Sequence, residues 1–370
     1  LYLWRFIALE EKGRITTNQF IWLLFCIITS FAVLHTPGLL IVQAGRDSVL
    51  SVIFAWILDV LLAVVYAYMG IRFPGQNMAQ YSMTILGKKI GKLVGIMFPL
   101  FFLMVSALLE SGFAILLHVA FFPKTPVEII LLVSYATVAY AVLKGIEVLG
   151  RVCEFLGPIY LISLLLLFLL IIPDIHFENL KPQLENGIFP AVSGGLLILC
   201  FMGICIEMGL YIPICDHPEN GFLSKFSAVS IGSVMISLIV TSSIGVFSIA
   251  QSKNMFSPSL RLARYIHLTV FLQRLEVIWL MIAIGALIIS SAEMIWGFAL
   301  ETAQIFELKS YKFLVIPSIL LSYVFASTSF KNSIDLFNFI NYSYPIIAMF
   351  VETGLEMLLF FAALISKKRG

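Results

Sequence analysis

The sequence predicts an all-α polytopic membrane protein of ten transmembrane helices, arranged as two oppositely oriented sets of five, with helices one and six discontinuous. Three observations lead there. Of the 370 residues, 61% are hydrophobic and 12% charged, with a mean hydropathy of +1.03, which is far from the composition of a soluble globular domain. Ten segments have the roughly 20 mostly apolar residues that a helix needs to cross a bilayer. Two of the ten, at corresponding places in the two halves, are interrupted by Gly and Pro. Irregular backbone at membrane depth survives only against other protein or around a cavity, because hydrocarbon offers no partner for freed backbone groups.

The expected spans are 17–43, 48–72, 93–121, 126–143, 149–172, 188–214, 223–249, 275–305, 311–328 and 337–365. The shortest, 126–143, is bounded by Pro126 and by Lys144-Gly145. The whole chain, 1–370, reads as a single transmembrane domain with 16–172 and 188–365 as its five-helix repeats. An odd number of spans per repeat reverses the second repeat, and a slide of 171 residues sets Gly38 on Gly209. Of 23 Lys and Arg residues, fifteen fall on one side: Arg5, Lys12, Arg14, Arg72, Lys88, Lys89, Lys92, Lys144, Arg151, Lys225, Lys309, Lys312, Lys367, Lys368 and Arg369. Eight fall on the other, which makes the first side, with both termini, cytoplasmic.

Two connecting stretches read as amphipathic. Gln76 to Lys92 mixes Tyr81, Ile85 and Ile90 with basic residues, as in a helix lying on the inner surface. Ser257-Pro258, an N-cap followed by a proline at the first helical position, opens a stretch with Arg261 and Arg264. That helix either covers a site from outside or serves as an interfacial anchor.

The remaining composition excludes several classes. A net charge of +2 gives no basis for a nucleic-acid partner. Five cysteines lie mostly in apolar segments without Cys-x-x-Cys or Cys/His ligand spacing, so neither a disulfide framework nor a metal site is expected. The charged opening residues lack a cleavage site after a short apolar core, so no signal peptide is expected. No phosphate loop, Ser/His/Asp pattern or His-Glu-x-x-His occurs, and neither enzyme activity nor a cofactor is expected.

The interruptions hold the candidate binding residues. In Leu34-His35-Thr36-Pro37-Gly38-Leu39, Pro37 lacks a backbone donor and Gly38 permits unusual torsions, so a helix can stop and restart. The restarting half-helix would offer free N–H groups and the positive end of its dipole to a carboxylate. Thr36 would add a hydroxyl; His35 either titrates near neutral pH or is hydrogen-bonded to a neighbouring helix. In the second interruption, Gly203-Ile204-Cys205-Ile206-Glu207-Met208-Gly209, freed carbonyls would favour a cation. A carboxylate at one break and an amine at the other describe a zwitterionic amino acid. Three roles fit Glu207: holding the amine, accepting a proton, or pairing with a neighbouring helix.

Other intramembrane acids are Asp59, Glu110, Glu293, Glu301, Glu352 and Glu356. Ser290, Glu293, Gly297 and Glu301 form one polar stripe on span eight that must face protein or water. Ser106 and Glu110 share a face of span three. Glu352 and Glu356 lie one turn apart, where one is protonated or both face a cytoplasmic vestibule. Ser230, Ser233, Ser237 and Thr241 read as a close-packing seam of span seven, and no Lys lies within a span core.

Ile15-Thr-Thr-Asn-Gln19, Ala44-Gly-Arg-Asp-Ser48, Ile85-Leu-Gly-Lys-Lys-Ile-Gly-Lys92 and Gln273-Arg-Leu-Glu276, in this order and spacing, resemble the spore germination permeases, the membrane-embedded B subunits of nutrient germinant receptors. The resemblance implies the amino acid–polyamine–organocation transporter architecture, a five-plus-five inverted repeat like the leucine transporter. It implies sensing of a small nutrient, often an amino acid, in the inner membrane of the spore. Its partners would be an A subunit and a lipoprotein C subunit, besides membrane lipid. By position, the ligand site would comprise 36–38, 203–209 and the facing parts of spans three and eight. His35 and Cys205 depart from the family's pattern, leaving room for a different ligand, whereas Glu207 agrees with an acid in that segment. The alternatives are a proton-coupled amino acid transporter, with Glu207 or Glu293 carrying the proton, and a bundle that also passes water or ions when activated.

Overall fold

The computed structural model describes residues 13–32, 36–255, 257–266 and 275–368, with all their side chains except those of Phe31, Cys205 and 275–280. Among the described residues, eight helices are long and apolar enough to cross a membrane. Two shorter apolar helices, Thr17–Ser30 and Phe189–Met202, are the outlying halves of spans one and six. The ten spans run as Thr17–Ala32 with Thr36–Ala44, Ser48–Arg72, Met97–Ala120, Val127–Lys144, Ile146–Ile171, Phe189–Met202 with Gly203–Tyr211, Gly221–Ser252, Leu275–Ile305, Lys312–Ser329 and Ser333–Ser366. Spans two and eight have the expected bounds, and the others shift by a few residues.

The spans sort into two groups by what they pack against. Spans one, two, six and seven pack on one another, with spans two and six the most intimate pair. Spans three, four, eight and nine form the second group, centred on the pairing of spans three and eight. Span five bridges the groups by packing on spans one and eight. Small residues permit the closest approaches: Gly157 of span five lies under the Trp22 indole, and Gly232 of span seven under Ile28. Lipid supplies no hydrophobic drive between helices, so such contacts carry the association.

Hydrogen bonds and ion pairs gather the loops into two ends. At one end Arg14 N–H donates to Glu147, Ile15 to the Ile214 carbonyl, Arg72 to Lys368 and Ala363 carbonyls, and Lys88 pairs with Glu307 at 3.0 Å. At the other, Arg46 pairs with Glu185 at 2.8 Å, Leu184 N–H donates to Asp47, and Arg264 donates to the Ala120 carbonyl. The hydrogen bond from Lys88 holds the exposed Glu307 carboxyl below its ordinary range, and the ammonium charge adds to this.

The amphipathic stretch 76–92 differs from the expected single surface helix. It is two helices, Met78–Leu86 and Lys88–Gly95, split at Gly87, whose φ of 84° lies in the left-handed region. An Asn77/Gln80 capping box starts the first helix, giving both end groups mutual hydrogen bonds. Met78, Ala79, Tyr81, Ser82, Met83 and Ile85 are buried, so this helix packs under the bundle and only the second carries its lysines outside. Their helical spacing describes a surface helix when the stretch is read as one piece; the Gly87 break separates the apolar half from the basic half. Pro258–Tyr265 is helical and its Pro258 ring lies against Gly38, so it covers the second half of span one. Residues 267–274 of that stretch are outside the described residues.

Candidate functional site

Spans one and six adjoin along both their halves: the stretch 203–207 packs on Thr17–Ala32, and Thr36–Ala44 packs on Phe189–Met202. His35 lies outside the described residues, as does the side chain of Cys205. Thr36, Pro37, Gly38 and Leu39 are buried, and all four lie within helix, so Pro37 and Gly38 do not themselves interrupt span one as expected. The Thr36 hydroxyl donates to the Ala32 carbonyl four residues earlier at 2.5 Å, so its proton is not aimed at a ligand. Gly38 is needed for packing: a Cβ there would sit 2.9 Å from the Met255 carbonyl oxygen.

Span six does not unwind at its break. Gly203–Glu207 is a 3₁₀ turn, buried at Gly203, Ile204 and Glu207. A 3₁₀ turn satisfies carbonyls through i→i+3 bonds, so fewer are free for a cation than an open break would leave. Immediately before it, the Tyr344 hydroxyl donates to the Cys200 carbonyl at 2.8 Å. Gly203 and Gly209 serve close approach, to the Glu352 carboxylate and the Met78 side chain respectively.

Beside the turn, three spans meet in one polar cluster. The Tyr211 hydroxyl lies 2.6 Å from Glu207 Oε2 and 3.0 Å from Glu293 Oε2. The Cys153 thiol of span five donates to Glu293 Oε1 at 3.6 Å. All four side chains are fully buried, and Tyr211 is held between the edge of Phe20 and the face of Trp296. Tyr211 is the residue the sequence reading missed. Its signal was available, since it follows Glu207 by four positions and shares its helix face.

The span-eight stripe does face protein along its length. Glu293 meets Tyr211, Gly297 packs on Leu210 and Phe102, and Glu301 accepts from the Ala79 N–H at 3.4 Å. Ser290 is buried but donates to the Ala286 carbonyl of its own helix. Ser106 pairs with Ser291 at 3.0 Å across spans three and eight, while Tyr135 of span four pairs with Ser322 of span nine at 2.6 Å. Glu110 sits fully buried in that same group of four spans. Ser106 and Glu110 therefore belong to the interface inside the second helix group, whereas Glu207 and Glu293 join the first group to the second.

Toward the end of the bundle that holds Arg72 and Lys88 lies a buried set of charges that sequence reading split apart. Lys225, tallied above with the cytoplasmic loops, is 1% exposed and pairs with the fully buried Asp59 at 3.0 Å. Its ammonium lies 5.4 Å from the centre of the Tyr66 ring. Span seven starts at Gly221 rather than 223, which carries Lys225 one turn inside the bundle. A lysine thus does stand within a span. The Tyr66 hydroxyl donates to the Glu352 carbonyl at 2.6 Å, and the Tyr81 hydroxyl approaches both Glu356 oxygens at 2.7 and 2.8 Å. Glu352 and Glu356 are both buried, which removes the alternative of a cytoplasmic vestibule. Span ten is π-helical at Phe339–Ser343 and Met349–Leu355, and the second π segment presents Glu352 to Gly203. Among the described residues no cluster of His, Cys, Asp and Glu could hold a metal ion.

A ten-span bundle in which the 3₁₀ turn of span six packs on span one, with carboxylates beside the turn, defines a polytopic membrane protein with a transporter-like fold. Solved structures agree on the fold. The nucleobase-cation-symport-1 family transporter Mhp1, in a closed conformation with bromovinylhydantoin bound, superposes with a TM-score of 0.73 at 11% identity, covering 97% of this chain and 80% of that one. A Na+-coupled sialic acid symporter in a substrate-bound outward-open state gives 0.65 at 14% identity, covering 96% and 80%. The fold is the five-plus-five inverted repeat. Residues 14–334 match the family model described as spore germination protein, and the chain belongs to that family. Spore germination protein KB of Bacillus subtilis (strain 168) is 26% identical over 372 residues, 97% of each chain. Spore germination protein YndE of the same organism is 26% identical over 376 residues, 98% of this chain and 99% of that one.

Proposed function

We propose that the chain is the germinant-sensing membrane subunit of a spore nutrient receptor, binding a small nutrient, an amino acid in the first instance, between its two interrupted spans and so triggering germination. The observation that carries this reading is the packing of spans one and six along both their halves, with Glu207 at the 3₁₀ turn of span six, in a chain of the germination family. An interruption before Thr36 would leave backbone donors for a carboxylate, and Glu207 supplies negative charge for an amine. The proposed ligand-facing set is His35, Thr36, Pro37, Gly38, Leu39, Gly203, Ile204, Cys205, Glu207 and Gly209, with Ser290 and Glu293 on span eight; Ser106 and Glu110 act behind it through Ser291. Ligand shifts the chain between two arrangements of its helix groups, which requires different affinity for the two. The repeats are 16–172 and 188–365. Both termini lie in the cytoplasm, in keeping with the basic end of the bundle, and the membrane is the inner one of the spore. An A and a C subunit receive the signal.

Spores whose only copy of this subunit carries Gly38→Leu or Glu207→Ala, with the protein level verified by immunoblot, are expected to lose nutrient-triggered germination; germination at the parental rate in both would sink the reading. The second reading, a proton-coupled amino acid transporter, is favoured by the likeness to solved symporters. Proteoliposomes distinguish the two: uptake of labelled amino acid driven by a pH gradient supports transport, and binding without flux supports the receptor.

A further inference from the structure

Tyr211 has one hydrogen to donate, and two carboxylates wait for it. Its hydroxyl oxygen lies 2.6 Å from Glu207 Oε2 and 3.0 Å from Glu293 Oε2, both within hydrogen-bonding distance. A phenol is one donor with acceptor capacity left over, and an ionised carboxylate is acceptor only. If both acids were ionised, one of the two contacts would set lone pairs against lone pairs, with no hydrogen between them. Both contacts are hydrogen bonds only if one acid is protonated: Tyr211 donates to one carboxylate while the other, as a carboxylic acid, donates to the Tyr211 oxygen.

Among the described residues, no other group supplies that hydrogen. Glu207 Oε1 has no hydrogen-bond partner, and the second donor to Glu293 is the Cys153 thiol at 3.6 Å, a weak one. The titratable groups facing the pair are Cys26 from span one, Cys153 from span five, Tyr211 from span six and Glu301 on span eight, none of them a cation. No Lys, Arg or His among the described residues forms an ion pair with either acid. Two uncompensated charges in a fully buried place would be very costly.

We infer that Glu207, Tyr211 and Glu293 form a proton-binding site that holds one shared proton at neutral pH and clasps span six to span eight. One proton halves the charge of the pair and completes both hydrogen bonds. Because span six belongs to the first helix group and span eight to the second, losing the proton loosens the join between the two bodies. The inference concerns the unliganded chain, so it stands or falls separately from the nutrient-binding reading.

The test is the pH dependence of stability of the purified full-length chain in detergent, followed by intrinsic fluorescence during thermal unfolding. An unfolded glutamate ionises near pH 4.3, so at neutral pH the fold binds one more proton than the unfolded chain. Stability from this source is complete at low pH and is lost as pH rises, at about tenfold in the folding equilibrium constant per pH unit for one proton. Other buried acids add their own dependence, so the readout is the difference between variants. Glu293→Gln and Glu207→Gln each replace the shared O–H by an amide N–H that does not titrate. Both are expected to remove about one proton's worth of pH dependence; a slope equal to the parent in both overturns the inference. So does a saturable rise in melting temperature of the parent with Na+ at fixed pH that both variants lack, which would make the site one for a metal cation. Should the Gln variants not fold, infrared spectroscopy of Tyr211→Phe decides. With its acceptor removed, the carboxylic acid C=O band present at neutral pH is expected to move to higher frequency, and an unmoved band refutes the shared proton.

Discussion

Asp59 and Lys225 show how a single residue's placement changes its meaning. In the sequence Lys225 stands four residues from a Gly and beside polar loop residues, and it counts naturally as a cytoplasmic charge. In the fold it is a buried ammonium whose partner lies on another span. Only the pairing partner, far away in sequence, distinguishes the two, and a single sequence does not reveal it. Removing one charge of a buried pair strands the other, which typically costs about 3–5 kcal/mol, whereas replacing both by apolar or neutral groups is often close to neutral. Asp59→Asn and Lys225→Met are each expected to lower the melting temperature of the purified protein sharply, and the double variant to recover most of the loss. Additive losses would show that the pair does not act as a unit. At Gly203 the prediction rests on space, since a Cβ would run into the Glu352 carboxylate. Gly203→Ala should therefore cost roughly 1–3 kcal/mol by overpacking, and melting curves of Gly203→Ala in parental and Glu352→Ala backgrounds check it: the cost should shrink when Glu352 is truncated.

At the scale of elements, the spans were legible because about 20 apolar residues leave a helix little choice in hydrocarbon. The interruption of span six was legible because Gly203 and Gly209 bracket it. Its geometry was not: it is a 3₁₀ turn, and the choice between a tight turn and open backbone depends on neighbours such as Tyr344. In span one, Pro37 and Gly38 lie within helix, and 33–35 are outside the described residues. The π segments of span ten left no recognisable sequence signal, and they decide where Glu352 points. The helix pair around Gly87 tests the backbone argument cleanly. A Cβ at Gly87 would touch nothing within 4 Å, yet φ is 84°. Gly87→Ala is thus expected to destabilise by about 1–2 kcal/mol through backbone strain alone, checked by thermal unfolding against Lys89→Ala, which should be near neutral. The Lys88–Glu307 pair at the same end behaves differently. Its depressed carboxyl gives stability present above the ordinary carboxylate range and lost as pH falls through the folded value. Both side chains are more than half exposed, so Glu307→Gln should leave the melting temperature unchanged at physiological salt.

For the whole molecule, composition and span count gave the fold class, and the odd number of spans per half implied the inverted repeat. What the sequence could not convey was which face of each span meets which neighbour. Glu110 and Glu293 looked alike as buried acids on facing spans, yet one lies within a helix group and the other between groups, joined through Tyr211. That division gives the account its central claim, that a small nutrient binds where the two interrupted spans adjoin. The most direct measurement is thermal stabilisation of the purified chain by a panel of amino acids, nucleosides and sugars, run in parallel on Gly38→Leu and Glu207→Ala. A ligand at about 100 times its Kd stabilises the state it binds by about 2.7 kcal/mol. The account predicts that an amino acid raises the melting temperature of the parent in a concentration-dependent way and leaves both variants unmoved. No stabilisation by any amino acid, or equal stabilisation of parent and variants, would contradict it.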